Sequence, residues 1–137
     1  MGIEGDVERT AAVAEAIDSR EAKHLPPGSP SLFNQPVSTP SGLEMQPLSW
    51  FVFGNHAAAV RRLLEFERVD VNAVFLNEGG DRITALDVAE LLFKNRHGER
   101  FDGAKGEEYE GDAHWSVCDS VRKRGGKTVV EIELFEL

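Results

Sequence analysis

The sequence lacks the features that mark several large classes of protein. One cysteine, Cys118, stands among 137 residues, which excludes an internal disulfide and a cysteine-rich metal site. No apolar run approaches the roughly 20 residues that a membrane-spanning helix needs, so we expect no membrane insertion. The first residues, Met1–Asp6, are acidic and lack an apolar core, which predicts neither a secretory signal nor a transit peptide. These absences predict an intracellular protein, with the cytoplasm as the expected compartment.

Basic residues are also scarce. The chain has 15 Lys and Arg against 24 Asp and Glu, which gives a net charge of −9 and a pI of about 4.9. Binding to a phosphate backbone or to an anionic membrane needs a basic face, so we expect no nucleic-acid partner. The acidity favours a basic protein partner, and the length suits one domain.

Proline is absent from most of the chain, because all six prolines lie between Pro26 and Pro47. Residues 25–45 are therefore predicted to form an extended arm and no helix. The arm carries apolar residues such as Phe33 and Met45, which a simple spacer would not need. Two interpretations stay open: a disordered linker, or an arm that lies in a groove of its own domain or of a partner.

Helical periodicity dominates the rest of the sequence. Residues 7–23, within an N-terminal segment 1–24, predict an amphipathic helix with a thin, alanine-rich apolar face. Thr84 is placed to cap a further helix, and Gly125 with Gly126 would end the last one. The tail, 128–137, alternates between apolar and acidic residues and predicts a β-strand. From residue 46 on, the predicted helices are 47–54, 56–66, 84–94 and 113–127.

An internal repeat appears when the sequence is shifted against itself, because Leu48 aligns with Leu86 and His56 with His114. The residues that carry a resemblance to a known repeat pattern are Asn55-His56, Leu63-Leu64, Asp70-Val71-Asn72-Ala73 and Thr84-Ala85-Leu86-Asp87-Val88-Ala89. In this pattern the chain resembles the ankyrin repeat family. The resemblance implies two degenerate repeats, about 46–73 and 80–127, the second interrupted by an insertion at 95–112.

The fold class that the resemblance implies is mainly α. It is a short ankyrin-type solenoid of helix pairs over 46–127, extended by the N-terminal helix, the arm and the C-terminal strand. Two repeats cannot cover both of their open ends, so we expect the N-terminal segments to cover one end and the tail strand the other. The insertion carries Phe101 and Tyr109 among charged residues. Loops of this length are either functional or disordered, and both interpretations stay open.

The resemblance also implies a function: binding of a protein partner through a finger loop and the concave face of the inner helices. We expect a non-enzymatic interaction module without a cofactor, acting as a small accessory or scaffold subunit of a larger assembly. The alternative is a dissociable acidic inhibitor or immunity-type protein of a basic enzyme. The predicted contact residues are Trp50, Phe53, Phe75, Leu76, Asn77, Glu78, Asp81, Val88 and Leu91.

A remote alternative is a small hydrolase that uses His114 and Cys118, which are one helical turn apart. A closed zinc site needs four ligands, and only His97 is a plausible third, so the sequence predicts no metal site. Cys118 occupies an apolar position of the repeat, which favours a buried, inert thiol over a nucleophile. We therefore expect no catalytic residues.

Overall fold

The computed structural model describes residues 14–20, 22–23, 31–38, 44–77 and 79–136, with only the backbone for 135 and 136. These residues are mainly helical, with two short antiparallel strand pairs. Within these ranges, no helix combines the length and the apolar composition that crossing a bilayer requires. Beyond the N-terminal helix, described over residues 14–20 and 22–23, the helices are α1 (Pro47–Phe53), α2 (Ala57–Leu64), α3 (Ala85–His97), α4 (Ala113–Lys123) and α5 (Val129–Glu136). The strands are β1 (Val37–Ser38), β2 (Glu44–Met45), β3 (Phe75–Leu76) and β4 (Arg82–Ile83).

Two helix pairs form the centre of the molecule. Helix α1 packs on α2 and on α3, and α4 packs on α2 and on α3. A β-hairpin precedes each pair, and the pairing of Val37 with Met45 is repeated 38 residues later by Phe75 with Ile83. The same shift relates Leu48 to Leu86, so the internal repeat extends into the arm. The arm is therefore more ordered than predicted, because it contributes a hairpin equivalent to the finger loop.

The described part of the arm packs on its own domain. After a short 3-10 turn at Leu32–Asn34, the Phe33 ring is buried and stacks on Phe66 with 4.8 Å between the ring centroids. Met45 is buried as well. Burial of such side chains contributes about 1.5–3 kcal/mol each, which is enough to hold a segment that forms few backbone hydrogen bonds. The interpretation as a simple linker is wrong for these residues.

The N-terminal helix is described over residues 14–20 and 22–23, and the rest of the prediction for 7–23 lies outside the described residues. Ala14 is buried and Ile17 packs against the core. Glu15 forms an ion pair with Arg62, at the end of α2. This segment and the arm therefore both pack on the core, and they contact α2 at Arg62 and the residue Phe66 that follows it.

Asparagine side chains join successive units of the repeat. Asn34 donates to the carbonyl of Arg68 and accepts from the amide of Asp70, both at 2.7 Å. Asn72, 38 residues further on, donates to the carbonyl of residue 125 at 3.1 Å and accepts from the amide of residue 127 at 2.7 Å. Each asparagine therefore bonds a carbonyl and the amide two residues later in the next unit. We call these contacts the asparagine bridges.

The C-terminal strand predicted for 128–137 is wrong, because this segment forms helix α5. Its start is a reciprocal cap: the Glu131 amide donates to Thr128 Oγ1 at 3.3 Å, and the Thr128 amide donates to Glu131 Oε1 at 3.2 Å. The signal was present in the sequence as Thr-x-x-Glu, which is typical of a helix start. The alternating pattern did not distinguish a strand from a helix, because Val130 and Leu134 lie on one face of either: they are an even number of residues apart and also spaced i and i+4.

The insertion is ordered, so its interpretation as a disordered loop is wrong. Helix α3 continues to His97, three residues past the predicted end, and stops at Gly98 with φ of 74°. The segment then returns to cover the end of α3. The buried ring of Phe93 lies 5.8 Å from the ring centroid of Phe101 and 5.0 Å from that of Tyr109. Together with His97 and Trp115 these residues form what we call the aromatic cluster.

Candidate partner-binding groove

An apolar groove lies between helices α1 and α3, the first helix of each pair, and the two hairpins. Its volume is about 730 Å³, and its walls come from α1, α3, β2, β3 and β4. Its floor and walls are mostly aliphatic and aromatic, as in sites that bind apolar ligands. The groove is lined by Met45, Trp50, Phe53, Gly54, His56, Phe75, Asn77, Gly79, Ile83, Asp87, Val88, Leu91 and Leu92.

Three of the predicted contact residues present large apolar side chains at this groove. Trp50 is 39% exposed, Phe53 49% and Leu91 58%. The other apolar residues of α1, among them Leu48 and Val52, are buried. Helix α1 is therefore apolar all round because one face belongs to the core and the other to the groove, which places an unusual amount of aromatic surface in contact with solvent.

Other predicted residues have different positions. Phe75 and Val88 are buried and form the base of the groove, and Asn77 lines its edge. Leu76 is exposed but does not line the groove, and Asp81 is exposed in the hairpin turn outside it. Glu78 lies outside the described residues. The structure thus brings together Trp50, Phe53, Phe75, Asn77, Val88 and Leu91.

Sequence reasoning missed part of the lining. Met45 was placed in the arm, and Ile83 was read as part of a loop, although the two occupy equivalent positions of the two hairpins. The 38-residue shift could have located Met45, because it carries Ile83 back onto an apolar residue. Leu92 was missed as a neighbour of the predicted Leu91.

The carboxylate of Asp87 lines the groove and is engaged in structural hydrogen bonds. Among the described lining residues the one carboxylate is that of Asp87, whose Oδ2 accepts from the Thr84 amide at 2.9 Å and from the Val129 amide at 3.0 Å. The first contact belongs to the predicted cap of α3, and the second joins α3 to α5. Among the described lining residues none is Ser, Thr, Cys or Lys. The groove is therefore suited to binding through shape and apolar contact.

The two repeat histidines have structural contacts. The His56 ring lies against Gly54, where an added Cβ would fall 2.5 Å from ring atoms. Asn55 has φ of 55°, a conformation that Asn tolerates better than most residues, and its Nδ2 lies 3.3 Å from His114 Nδ1. This contact joins the connection between α1 and α2 to the start of α4.

Cys118 is fully buried in α4. Burial, aided by the charge of Glu90, raises the pKa of its thiol to about 12. A nucleophilic cysteine needs the opposite shift and access to solvent, so this environment argues against the thiol hydrolase.

His97 and Asp112 form the most polar contact of the aromatic cluster. His97 Nε2 lies 3.0 Å from Asp112 Oδ2. Burial opposes ionisation of Asp112, but the Trp115 amide and the His97 contact outweigh it and lower the pKa of this carboxyl. Asp112 also caps α4, so its role in the structure is to start that helix beside the end of α3. Within the described ranges, no group of three or more His, Cys, Asp or Glu side chains is arranged to hold a metal ion.

Comparisons of the chain with protein-family models, with curated proteins and with solved structures found no match.

Proposed function

We propose that this protein is a non-enzymatic interaction module, a small accessory or scaffold subunit built as a short ankyrin-type solenoid. One observation carries the proposal: Trp50, Phe53 and Leu91 converge, exposed, on a single apolar groove. Exposed aromatic residues around a concave apolar surface are the usual anchors of protein recognition. The 38-residue repetition of the hairpin and of the first helix of each pair supports the ankyrin-type interpretation.

The groove is suited to an apolar segment flanked by basic residues, supplied by another protein. The described part of the lining offers apolar surface and the carboxylate of Asp87, which is already hydrogen bonded. Among the described residues of the adjoining hairpins the exposed charges are Glu44, Asp81 and Arg82, which are acidic in sum, and the chain carries a net charge of −9. Complementary charge on the partner would speed association and orient it.

The experiment uses selection from a library of short displayed peptides against the full chain. The chain has two tryptophans, so the Trp115→Phe variant leaves Trp50 as the only one and makes it a reporter of the groove. We expect selected peptides to carry apolar anchors with Lys or Arg beside them. Their binding should shift the emission of Trp50 to shorter wavelength, because the indole leaves water.

Two variants test the position of the bound peptide. Phe53→Ser removes an exposed anchor of the groove, and Leu76→Ser is the matched control, since Leu76 is 56% exposed but outside the lining. Trp50→Ala should weaken binding by about 2 kcal/mol or more without unfolding the chain. The proposal is wrong if no selected peptide shifts Trp50 emission, or if Phe53→Ser binds as well as the control.

The dissociable inhibitor remains the second candidate, favoured by the net charge of −9. It differs from a constitutive subunit in its kinetics. An inhibitor that is steered by charge should associate with a rate that falls steeply as salt is added. For a subunit held by the apolar groove, substitutions in the groove should change the dissociation rate much more than the association rate.

A further inference from the structure

Two polar side chains of the groove lining, His56 and Asn77, keep nitrogens without a hydrogen-bond partner in the described part of the chain. The His56 ring packs edge-on against Phe51, at 6.3 Å between ring centroids, and neither of its nitrogens is bonded within the described residues. Asn77 Oδ1 accepts from the Asp81 amide at 2.9 Å, which leaves the Nδ2 group of the same side chain as an unused donor. Asp87 differs from both, because its carboxylate already accepts two backbone amides.

These nitrogens set a condition on whatever fills the groove. Solvent reaches them, since neither His56 nor Asn77 contributes to the buried side-chain atoms that lack a partner in the described chain. An occupant that covered them with apolar groups would remove their bonds to water and give none in return, which lowers affinity about tenfold or more for each group. The occupant must therefore bring polar atoms into an otherwise apolar contact.

The backbone of an extended segment meets this condition, and a helix does not. A helix bonds its own backbone groups except for those of its first and last turns, so its middle presents only side chains. An extended segment presents one N–H and one C=O for every residue other than proline. It can thus bond Asn77 and His56 while its side chains fill the apolar part of the groove.

The length of the groove wall defines how much of such a segment is bound. Helix α1 has seven residues and is therefore about 10 Å long. An extended chain covers this length with three to four residues, at about 3.3 Å per residue. Successive side chains point to opposite sides of an extended chain, so two side chains spaced i and i+2 can enter the groove together.

We propose that the groove binds an extended segment of the partner protein, with apolar anchors at i and i+2, and that Asn77 and His56 bond its backbone. Asn77 Nδ2 can only donate, so it selects a carbonyl oxygen, whereas the His56 imidazole donates or accepts according to its tautomer. This inference rests on the proposed function. It adds the conformation of the bound segment and assigns the two residues that select that conformation.

The first experiment tests the spacing of the anchors. It uses the peptides selected against the full chain, with binding followed through Trp50 emission in the Trp115→Phe variant. Moving the second anchor from i+2 to i+3 at constant composition turns it away from the groove in an extended chain, and binding should weaken about tenfold or more. In a helix the same change brings both anchors onto one face, so binding should become tighter.

The second experiment removes the nitrogens. His56→Phe keeps a ring beside Gly54, and the His56 side chain does not cap α2, so we expect the fold to be retained. Loss of one hydrogen bond should weaken peptide binding about fivefold, whereas an occupant held by apolar contact alone should bind the more apolar variant as well or better.

Asn77→Asp is an independent variant, because it keeps the oxygen that accepts from the Asp81 amide and removes only the donor. We again expect a loss of about fivefold. The measurement uses the selected peptide with its basic residues replaced by Gln, so that the added charge has no charged partner. Circular dichroism checks both variants, and if one fails to fold, the other decides.

The results separate this inference from the proposed function. Peptides that shift Trp50 emission but bind both variants as tightly as the parent chain, or bind better with anchors at i and i+3, would overturn the inference and leave the groove as a binding site for a helix. If no peptide shifts Trp50 emission, both proposals are wrong. If the chain alone sediments as a dimer that Phe53→Ser dissociates, a second copy fills the groove and the extended segment is excluded.

Discussion

Asn72→Ala offers a direct test of the asparagine bridges. The change removes the hydrogen bond from Asn72 Nδ2 to the Gly125 carbonyl, at 3.1 Å, and that from the Lys127 amide to Asn72 Oδ1, at 2.7 Å. A typical hydrogen bond contributes about 1 kcal/mol net, so two give about 2 kcal/mol of destabilisation. The site is partly exposed, so water can bond the Gly125 carbonyl and the Lys127 amide in the variant. We therefore expect no additional loss of stability from buried, unpaired polar groups.

The assay is equilibrium unfolding in urea, followed by circular dichroism of the full chain. Asn77→Ala is the matched control, because the same truncation there removes the acceptor of the Asp81 amide, a single hydrogen bond of 2.9 Å within the hairpin turn. We expect about 1 kcal/mol or less for the control. A change within about 0.5 kcal/mol of the wild type for Asn72→Ala, the level of an ordinary surface substitution, would refute the reasoning.

The two bridges should also be coupled. The Asp70 amide donates to Asn34 Oδ1 at 2.7 Å, and Asp70 Oδ1 accepts from the Asn72 amide at 3.0 Å, so one residue belongs to both. Residues that share a hydrogen-bonded network show interaction energies of about 0.5 kcal/mol or more in double-mutant cycles. The Asn34→Ala Asn72→Ala variant should therefore lose less stability than the sum of the single changes. If the losses of stability in the two single variants simply add up in the double variant, the two asparagine bridges are not coupled through Asp70.

Three further outcomes are expected. Cys118, whose thiol pKa is raised to about 12 by burial, should resist alkylation at neutral pH in the native chain and react after denaturation. Ready labelling of the folded chain would contradict this prediction and favour the thiol hydrolase as the function. The Arg122 hydrogen bond lowers the pKa of Glu131 from 4.5 to about 2, so this pair stabilises the fold above about pH 4.5 and the contribution disappears as the pH falls through 2. Glu131→Gln should flatten that part of the stability profile, and an unchanged slope would contradict the assignment. Phe93→Ala, in the aromatic cluster, should cost about 3–5 kcal/mol in urea unfolding, and a loss below about 1 kcal/mol would show that the insertion contributes little packing.

Helix pairs were the part of the fold that the sequence could predict. Their apolar residues recur at helical spacing, and Thr84 with Asp87 forms the predicted cap of α3. The buried face of α1, with its exposed Trp50 and Phe53, also agrees with the expected division between core and groove. These features depend on neighbours within one or two turns, which sequence patterns report well.

The arm and the tail were harder because their patterns fit two structures. The strand pair of the arm could not be predicted, because strands of two residues, Val37–Ser38 and Glu44–Met45, give almost no periodic signal. The prolines around them favoured an extended segment instead. The tail alternates like a strand, and its helical cap, Thr128 with Glu131, is a signal of two residues. The aromatic cluster depends on contacts between distant positions, and no local pattern reports those.

For the groove, the sequence predicted the helices that became α1 and α3 and a finger loop over 74–83, but not the side that Met45 forms. That side depends on the register of β1 with β2, which brings Met45 into the position equivalent to Ile83. The sequence shows that Met45 is apolar, but it does not show that Met45 lies beside Trp50 and Phe53, because that contact depends on the arm folding back on its own domain.

The unequal connections within the two helix pairs have a consequence for the order of folding. Residues 54–56 join α1 to α2, and residues 98–112 join α3 to α4. Closing a connection of fifteen residues in place of three costs about 1.4 kcal/mol more in chain entropy. The first pair therefore has the lower barrier to assembly and should protect its amides from exchange earliest during refolding. We expect the second pair to close later, because contacts of the aromatic cluster can offset the entropic cost only after residues 98–112 have folded against the end of α3.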